Sequence, residues 1–324
     1  MFVEYKNIFL NDSFDDLNQS MRSLFTDTEM EPKSKKNKKP TVYSTENTSC
    51  EENEIEVKSF ISRIPEWGGK VVDANNNSMN LKIIHTCTID NFLLAFWTCT
   101  KMNGKITEHI SNLPYPERNH IIDIINCVEK KEWNKAKSIW ISKIINSDCD
   151  LTGKNSIIKN KTISTYGSEY EFFLNFIIQF QKYKLTYTCS ACCSMNNTTK
   201  ESVSINFVKN NVVVFMNLTE RDKCSKCKAK KNNECLFLKT PPWLFIQKID
   251  TAPIYVNELP KIITISRESF LFLCATIHTD SPNHFRSIYY LNNEYFLVDD
   301  LKAGEIDEHM PHLKVVTCFY YKTK

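Results

Sequence analysis

The stretch LKIIHTCTIDNFLLAFW, residues 81–97, changes its period halfway. Up to Ile84 it reads as extended chain. After Cys87, the apolar residues Ile89, Phe92, Leu93 and Phe96 recur at 3.6 spacing, which predicts a helix over 88–99. Cys87 stands where the extended segment becomes that helix. A thiol there feels the positive end of the helix dipole and unpaired N–H groups, which favour thiolate, and the same N–H groups can receive an oxyanion. Most single cysteines at helix starts are packing residues, so this one needs partners elsewhere in the chain.

Outward from this point, residues 120–145 carry Ile121, Ile124, Ile125, Val128, Trp133, Ala136, Ile139 and Trp140 and read as one or two amphipathic helices; residues 168–180 read as another. After Leu185 short β-rich runs follow at 203–207, 212–216, 243–247, 270–277, 285–291, 295–298 and 315–321, divided by turn-forming clusters such as NN, SPN and NNE. Helices first and strands later is an α+β pattern. Residues 1–57 are polar and contain EPKSKKNKKP, a composition too poor in apolar surface to offset chain entropy, and read as a disordered arm. Its Lys33, Lys35, Lys36, Lys38 and Lys39 fit a nuclear localisation signal, a nucleic-acid patch or a solvated linker.

Composition excludes several chemistries. The 324 residues include only 6 Gly, where average usage of roughly 7% gives about 23. No spacing among them makes a dinucleotide fingerprint, a phosphate loop or a serine nucleophile elbow. A net charge of +3 argues against nucleic acid as the partner of the whole chain, and no run of ~18 apolar residues offers a membrane span. The start, MFVEYKNIFLNDSFDD, has no secretory pattern. The expected setting is the nucleus or cytoplasm, where the 13 Cys stay mostly reduced and paired Cys spacings point to metal or catalysis.

Two such spacings occur. Cys189-x-x-Cys192 and Cys224-x-x-Cys227 offer four thiolates, a donor set that suits tetrahedral Zn²⁺ in a closed, structural zinc ribbon. Cys193 and Cys235 are candidate substitutes. The runs 203–207 and 212–216 around KNN are expected to form a hairpin that brings the two knuckles together. Farther on, His284 opens one strand and Asp299-Asp300 closes the next, 15 or 16 residues later. A hairpin can set them side by side, so that the carboxylate holds the imidazole in the tautomer that accepts a thiol proton. The alternative is a surface His and a turn carboxylate. His85 reads as structural, and Trp67 before Gly68-Gly69 reads as a packed residue of a tight turn rather than the edge of a cleft. Cys99, Cys127, Cys274 and Cys318 lie in apolar runs and read as core.

The order of Cys, two Cys-x-x-Cys knuckles, His-x5-His-aromatic and aromatic-x-x-Asp-Asp resembles the ubiquitin-specific protease superfamily of papain-like cysteine isopeptidases. Thr86-Cys87 is similar to its Cys box, PPWLFIQ at 241–247 to the segment after its fingers, and His278 with His284-Phe285 to its paired His. The resemblance implies a helical thumb (58–184), zinc-ribbon fingers (185–240) and a β-rich palm (241–324). It also implies a Cys87–His284–Asp299 triad, with Asp300 as the alternative acid. The partner is then ubiquitin or a related modifier on lysine conjugates. Asp90, with Leu93 or Leu94 and Ala95, is similar to the divergent branch that removes SUMO.

The chain departs from the family pattern in places. Ile84-His85-Thr86-Cys87-Thr88 replaces the usual glycine-containing box, Lys82 stands where an amide donor is expected, and Asn283 replaces Gly before the second His. Asn80 is the nearest amide for an oxyanion. The readings that compete with a monomeric isopeptidase are an inactive modifier-binding pseudoprotease, a nucleic-acid protein using the ribbon and the Lys-rich arm, supported by Lys226, Lys228, Lys230 and Lys231, and another Cys–His–Asp enzyme.

Overall fold

The computed structural model describes residues 55–72, 78–115, 117–145, 158–159, 161–189, 191–192, 198–203, 205–208, 212–215, 224, 226–229, 232–248, 256–265, 267–280, 283–302, 306–307 and 315–323. The chain divides into two compact units, 1–49 and 50–324, and the described residues lie in the second. The Lys-rich run therefore lies outside the described residues. Ile55, inside the segment read as an arm, is buried and pairs with Asn292: its N–H donates to the amide oxygen at 3.2 Å and its carbonyl accepts from the amide nitrogen at 2.8 Å.

After a short helix, α1 (Val57–Ile61), the antiparallel pair β1 (Gly69–Val72) and β2 (Ser78–Ile84) leads into the main helix α2 (Cys87–Met102). The chain continues through α3 (Ile106–Ser111), α4 (Glu117–Glu129) and α5 (Trp133–Ile139), the last extended by a π-turn over Trp140–Ile144. Strands β3 (Ile158–Lys159) and β4 (Thr162–Ser164) return to β2, with β4 parallel to it, completing a small sheet in the order β1-β2-β4-β3. The expected order of helices and then strands is thus corrected: a sheet frames the start of α2. Its β2 is exposed at Ser78, Met79, Asn80 and Lys82, so it offered no apolar alternation to read. The predicted helix at 168–180 is a π-turn (Tyr170–Leu174), a short α segment and a 3₁₀ turn.

Every residue of α2 from Cys87 to Cys99 is buried. The 3.6 pattern marked one face, but a helix apolar nearly all round is an interior helix. It lies between α4 and α5 on one side and a large sheet on the other. That sheet runs β15-β14-β13-β12-β16-β10-β7-β8, with β11 also on β12. Its strands are β7 (Ile205–Val208), β8 (Val212–Phe215), β10 (Trp243–Lys248), β11 (Ile262–Ile265), β12 (Glu268–Asp280), β13 (Asn283–Leu291), β14 (Glu294–Val298), β15 (Ile306–Asp307) and β16 (Val315–Lys322).

Both sheet faces are covered, which explains why the central strands read as nearly continuous apolar runs. Alternation assigns Trp243, Phe245, Phe319 and Tyr321 to the helix side and Leu244, Ile246, Cys318 and Tyr320 to the other. In β12 a bulge puts Leu273 and Cys274 together on the helix side. Phe92, Phe96, Trp140, Phe173 and Trp243 interlock there, with ring centroids 4.4 Å apart for Phe92–Phe173 and 4.5 Å for Trp140–Phe173. Cys99, Cys127, Cys274 and Cys318 are buried, as expected.

The predicted hairpin forms as β7–β8, but it belongs to the large sheet. The knuckles are joined elsewhere. In a three-stranded sheet, β6 (Thr198–Ser202)-β5 (Tyr183–Thr188)-β9 (Asn232–Phe237), Thr188 pairs with Asn232. Cys189 follows β5 and the second knuckle precedes β9, so that pairing sets the two knuckles face to face.

Candidate active site

Chain geometry presents Cys87 at a corner. His85 takes a left-handed conformation (φ 61°), sparsely populated for a residue with a Cβ, and breaks β2 from α2. It therefore belongs to neither the strand nor the helix. Its ring is structural all the same: Nδ1 lies 2.9 Å from Ser164 Oγ, and edges meet Trp67 and Tyr166 at 5.6 and 5.2 Å. Trp67 is more open than a packed turn residue, at 37% exposure; Gly68 behind it needs its positive φ of 76°. The N–H groups of Ile89 and Asp90 both donate to Thr86 O at 2.9 Å. Those of Cys87 and Thr88 come earlier in the helix and have no intrahelical acceptor.

On the opposite side, β12 and β13 pair His278 with Phe285 and Thr279 with His284. The following β14 turns into Asp299-Asp300. His284 Nε2 lies 2.9 Å from Asp299 Oδ1 and 3.1 Å from Asp300 Oδ1. Asp299 Oδ1 also accepts from the Leu301 N–H at 3.0 Å. The carboxylates occupy Nε2 and leave Nδ1 for the thiol. Burial works to lower the His284 pKa, but the hydrogen bond to Asp299 and the neighbouring Asp300 carboxylate and Cys87 thiol outweigh it, pushing the ring up to about 11. Burial works to raise Asp299, yet His284 and the Leu301 N–H keep its carboxyl below the usual range. The fold thus brings Cys87, His284, Asp299 and Asp300 together. Asn80 is exposed on β2, outside this hydrogen-bonded group, and its amide makes no hydrogen bond among the described residues.

Sequence reasoning missed Asn91, one turn after Cys87. It ties the helix start to β13: its amide donates to Cys87 O at 2.9 Å, and its Oδ1 accepts from Ser287 Oγ at 2.8 Å. Tyr289 OH donates to its backbone carbonyl at 2.6 Å. An asparagine four residues after a cysteine carries no signal of its own; only the register of β13 reveals it.

The sulfurs of the knuckles are 3.4 Å apart for Cys189–Cys227, and 3.6 Å for both Cys189–Cys192 and Cys192–Cys224. Tetrahedral Zn–S bonds of about 2.3 Å place sulfurs roughly 3.8 Å apart, so this donor set could hold a structural zinc. Cys193 lies outside the described residues, and Cys235 stands on β9 opposite Leu185.

No family model matches the chain, and no curated protein matches it. Among solved structures it is similar to the SAGA DUB module Ubp8/Sgf11/Sus1/Sgf73 bound to monoubiquitin, at 10% identity and a TM-score of 0.41, over 81% of this chain and 70% of that one. The same module bound to ubiquitin aldehyde aligns at 10% identity and a TM-score of 0.42, over 81% and 71%. A yeast SAGA DUBm with an Sgf73 mutant aligns at 11% identity and a TM-score of 0.33, over 81% and 70%.

Proposed function

We propose that this chain is a thiol isopeptidase of the ubiquitin-specific protease type, removing ubiquitin or a ubiquitin-like modifier such as SUMO from lysine. The observation that carries the reading is the line of sulfur, imidazole and carboxylate, made from residues 15 and 197 positions apart: the Cys87 thiol neighbours the His284 ring and favours its charged form, and that ring hydrogen-bonds to Asp299 at 2.9 Å. The Cys87 sulfur attacks the carbonyl at the modifier's C-terminus. His284 takes the thiol proton and returns it to the departing lysine amine; a ring that favours its protonated form suits a thiolate–imidazolium pair. Asp299 holds the ring's orientation and balances its charge. The N–H groups of Cys87 and Thr88, which have no acceptor within the helix, receive the oxyanion. Water then releases the modifier from the thioester. Cys189, Cys192, Cys224 and Cys227 would hold a structural zinc, which would brace the three-stranded β6-β5-β9 sheet.

The exposed Lys82, in place of an amide donor, favours a second reading: a pseudoprotease that binds the modifier without cleaving it. Hydrolysis of isopeptide-linked ubiquitin and SUMO substrates decides between the two. Cleavage of one of them that falls by several orders of magnitude in His284→Ala supports the enzyme. Measurable affinity with no cleavage of any conjugate supports the binding module.

A further inference from the structure

One buried cation beside the nucleophile has no part in the chemistry above. The side chain of Lys137, on α5, is only 1% exposed. Its ammonium donates to Asp90 Oδ2 at 2.9 Å, Glu66 O at 2.7 Å and Gly68 O at 2.5 Å, and lies 3.3 Å from Thr86 Oγ1. These acceptors come from three places: the segment before β1, the corner that ends at Cys87, and the first turn of α2. Thr86, the residue before the nucleophile, donates to Asp90 Oδ2 at 2.5 Å and accepts from the Gly68 N–H at 2.8 Å. Asp90 is fully buried, and its other oxygen lacks a hydrogen bond among the described residues.

The network also reaches the acids. The backbone N–H of Trp67, next to Gly68, donates to the backbone carbonyl of Asp300 at 3.1 Å. Burial pushes the Asp90 carboxyl up, Lys137 opposes that, and the charge of Asp300 pushes it further up, so the two carboxylates feel each other. For holding elements together, a buried ion pair is a poor choice, since apolar residues of similar volume often stabilise as well or better. What this pair does that apolar side chains cannot is fix hydrogen-bonded positions on both sides of the thiol.

We propose that Lys137 and Asp90 are positioning residues: they fix the Thr86–Cys87 corner and the Glu66–Gly68 segment so that the thiol meets the His284 ring in line. This rests on the reading of Cys87 as the nucleophile. The test uses Lys137→Met, Asp90→Asn and the double variant in the full chain, with three readouts: thermal midpoint, rate of Cys87 alkylation by iodoacetamide, and kcat and KM on a cleaved conjugate. Each single variant strands a buried polar partner and lowers the midpoint. The double variant is expected to regain the midpoint, while alkylation and kcat stay down by roughly 100-fold, the scale of a ~1 Å misplacement, with KM unchanged. Recovery of rate together with midpoint assigns the pair a purely structural role and overturns the proposal.

If the double variant does not regain the midpoint, Thr86→Val decides, because it removes one hydroxyl and no charge. Slower alkylation at an unchanged midpoint supports positioning, and an unchanged rate overturns it. Iodoacetamide reads the thiol without any modifier. Absence of conjugate cleavage by the wild type would therefore sink the isopeptidase reading while leaving this question answered.

Discussion

Two carboxylates compete for one imidazole nitrogen, and their surroundings separate their roles. Asp299 bonds to Nε2 at 2.9 Å while its oxygen also accepts from the Leu301 N–H. Asp300 is 2% exposed and 3.1 Å from the same nitrogen, but neither of its oxygens makes a well-formed hydrogen bond among the described residues. Asp299→Asn is expected to cut turnover by about 10³–10⁴-fold, the scale of a lost orienting carboxylate, and Asp300→Asn by much less. The pH profile carries a sign as well. Asp299 raises the ring, which deprotonates only at about 11, so removing this carboxylate moves the alkaline limb of kcat/KM to lower pH. A limb that stays in place in Asp299→Asn contradicts the assignment. The thiol, the imidazole and the acid were legible because strand, turn and helix signals sit beside each of them. Lys137 was not: in KKEWNKAKSIW it is one lysine among several, and only the packing of α5 on α2 takes it out of water.

At the scale of elements, strand pairing decided what spacing could not. The knuckles were visible as motifs, but the polar strands β5 and β9 that bring them together were not; apolar runs drew attention to the β7–β8 hairpin instead. Elemental analysis is expected to find one zinc per chain, and a chelator to lower the thermal midpoint. A metal-free protein of unchanged midpoint would contradict the zinc assignment. A second prediction concerns Glu169, which bridges the helical region to β16 through Thr317 Oγ1 at 2.8 Å. Burial raises its pKa from 4.5 to about 7. The folded chain therefore binds a proton between these values that the unfolded chain gives up, and stability falls as pH rises through that window. Glu169→Gln should stabilise by about 3 kcal/mol above pH 7 and gain little below pH 4.5, as read by urea midpoints at the two pH values. Equal gains at both would contradict it.

At the scale of the whole molecule, a single interior helix wedged against one face of a large sheet gives the site its geometry. The α+β class was legible because helical and strand periods occupy different halves of the chain. The small sheet at β1–β4 was not, since exposed strands carry no apolar alternation. The central claim is that the corner at the start of α2 and the β13–β14 hairpin meet in one reactive thiol centre. Mapping the adduct of a ubiquitin or SUMO probe with a C-terminal electrophile tests it most directly. The account predicts modification at Cys87, abolished in Cys87→Ala and strongly slowed in His284→Ala. Labelling that persists in Cys87→Ala, or falls on another cysteine, would contradict it.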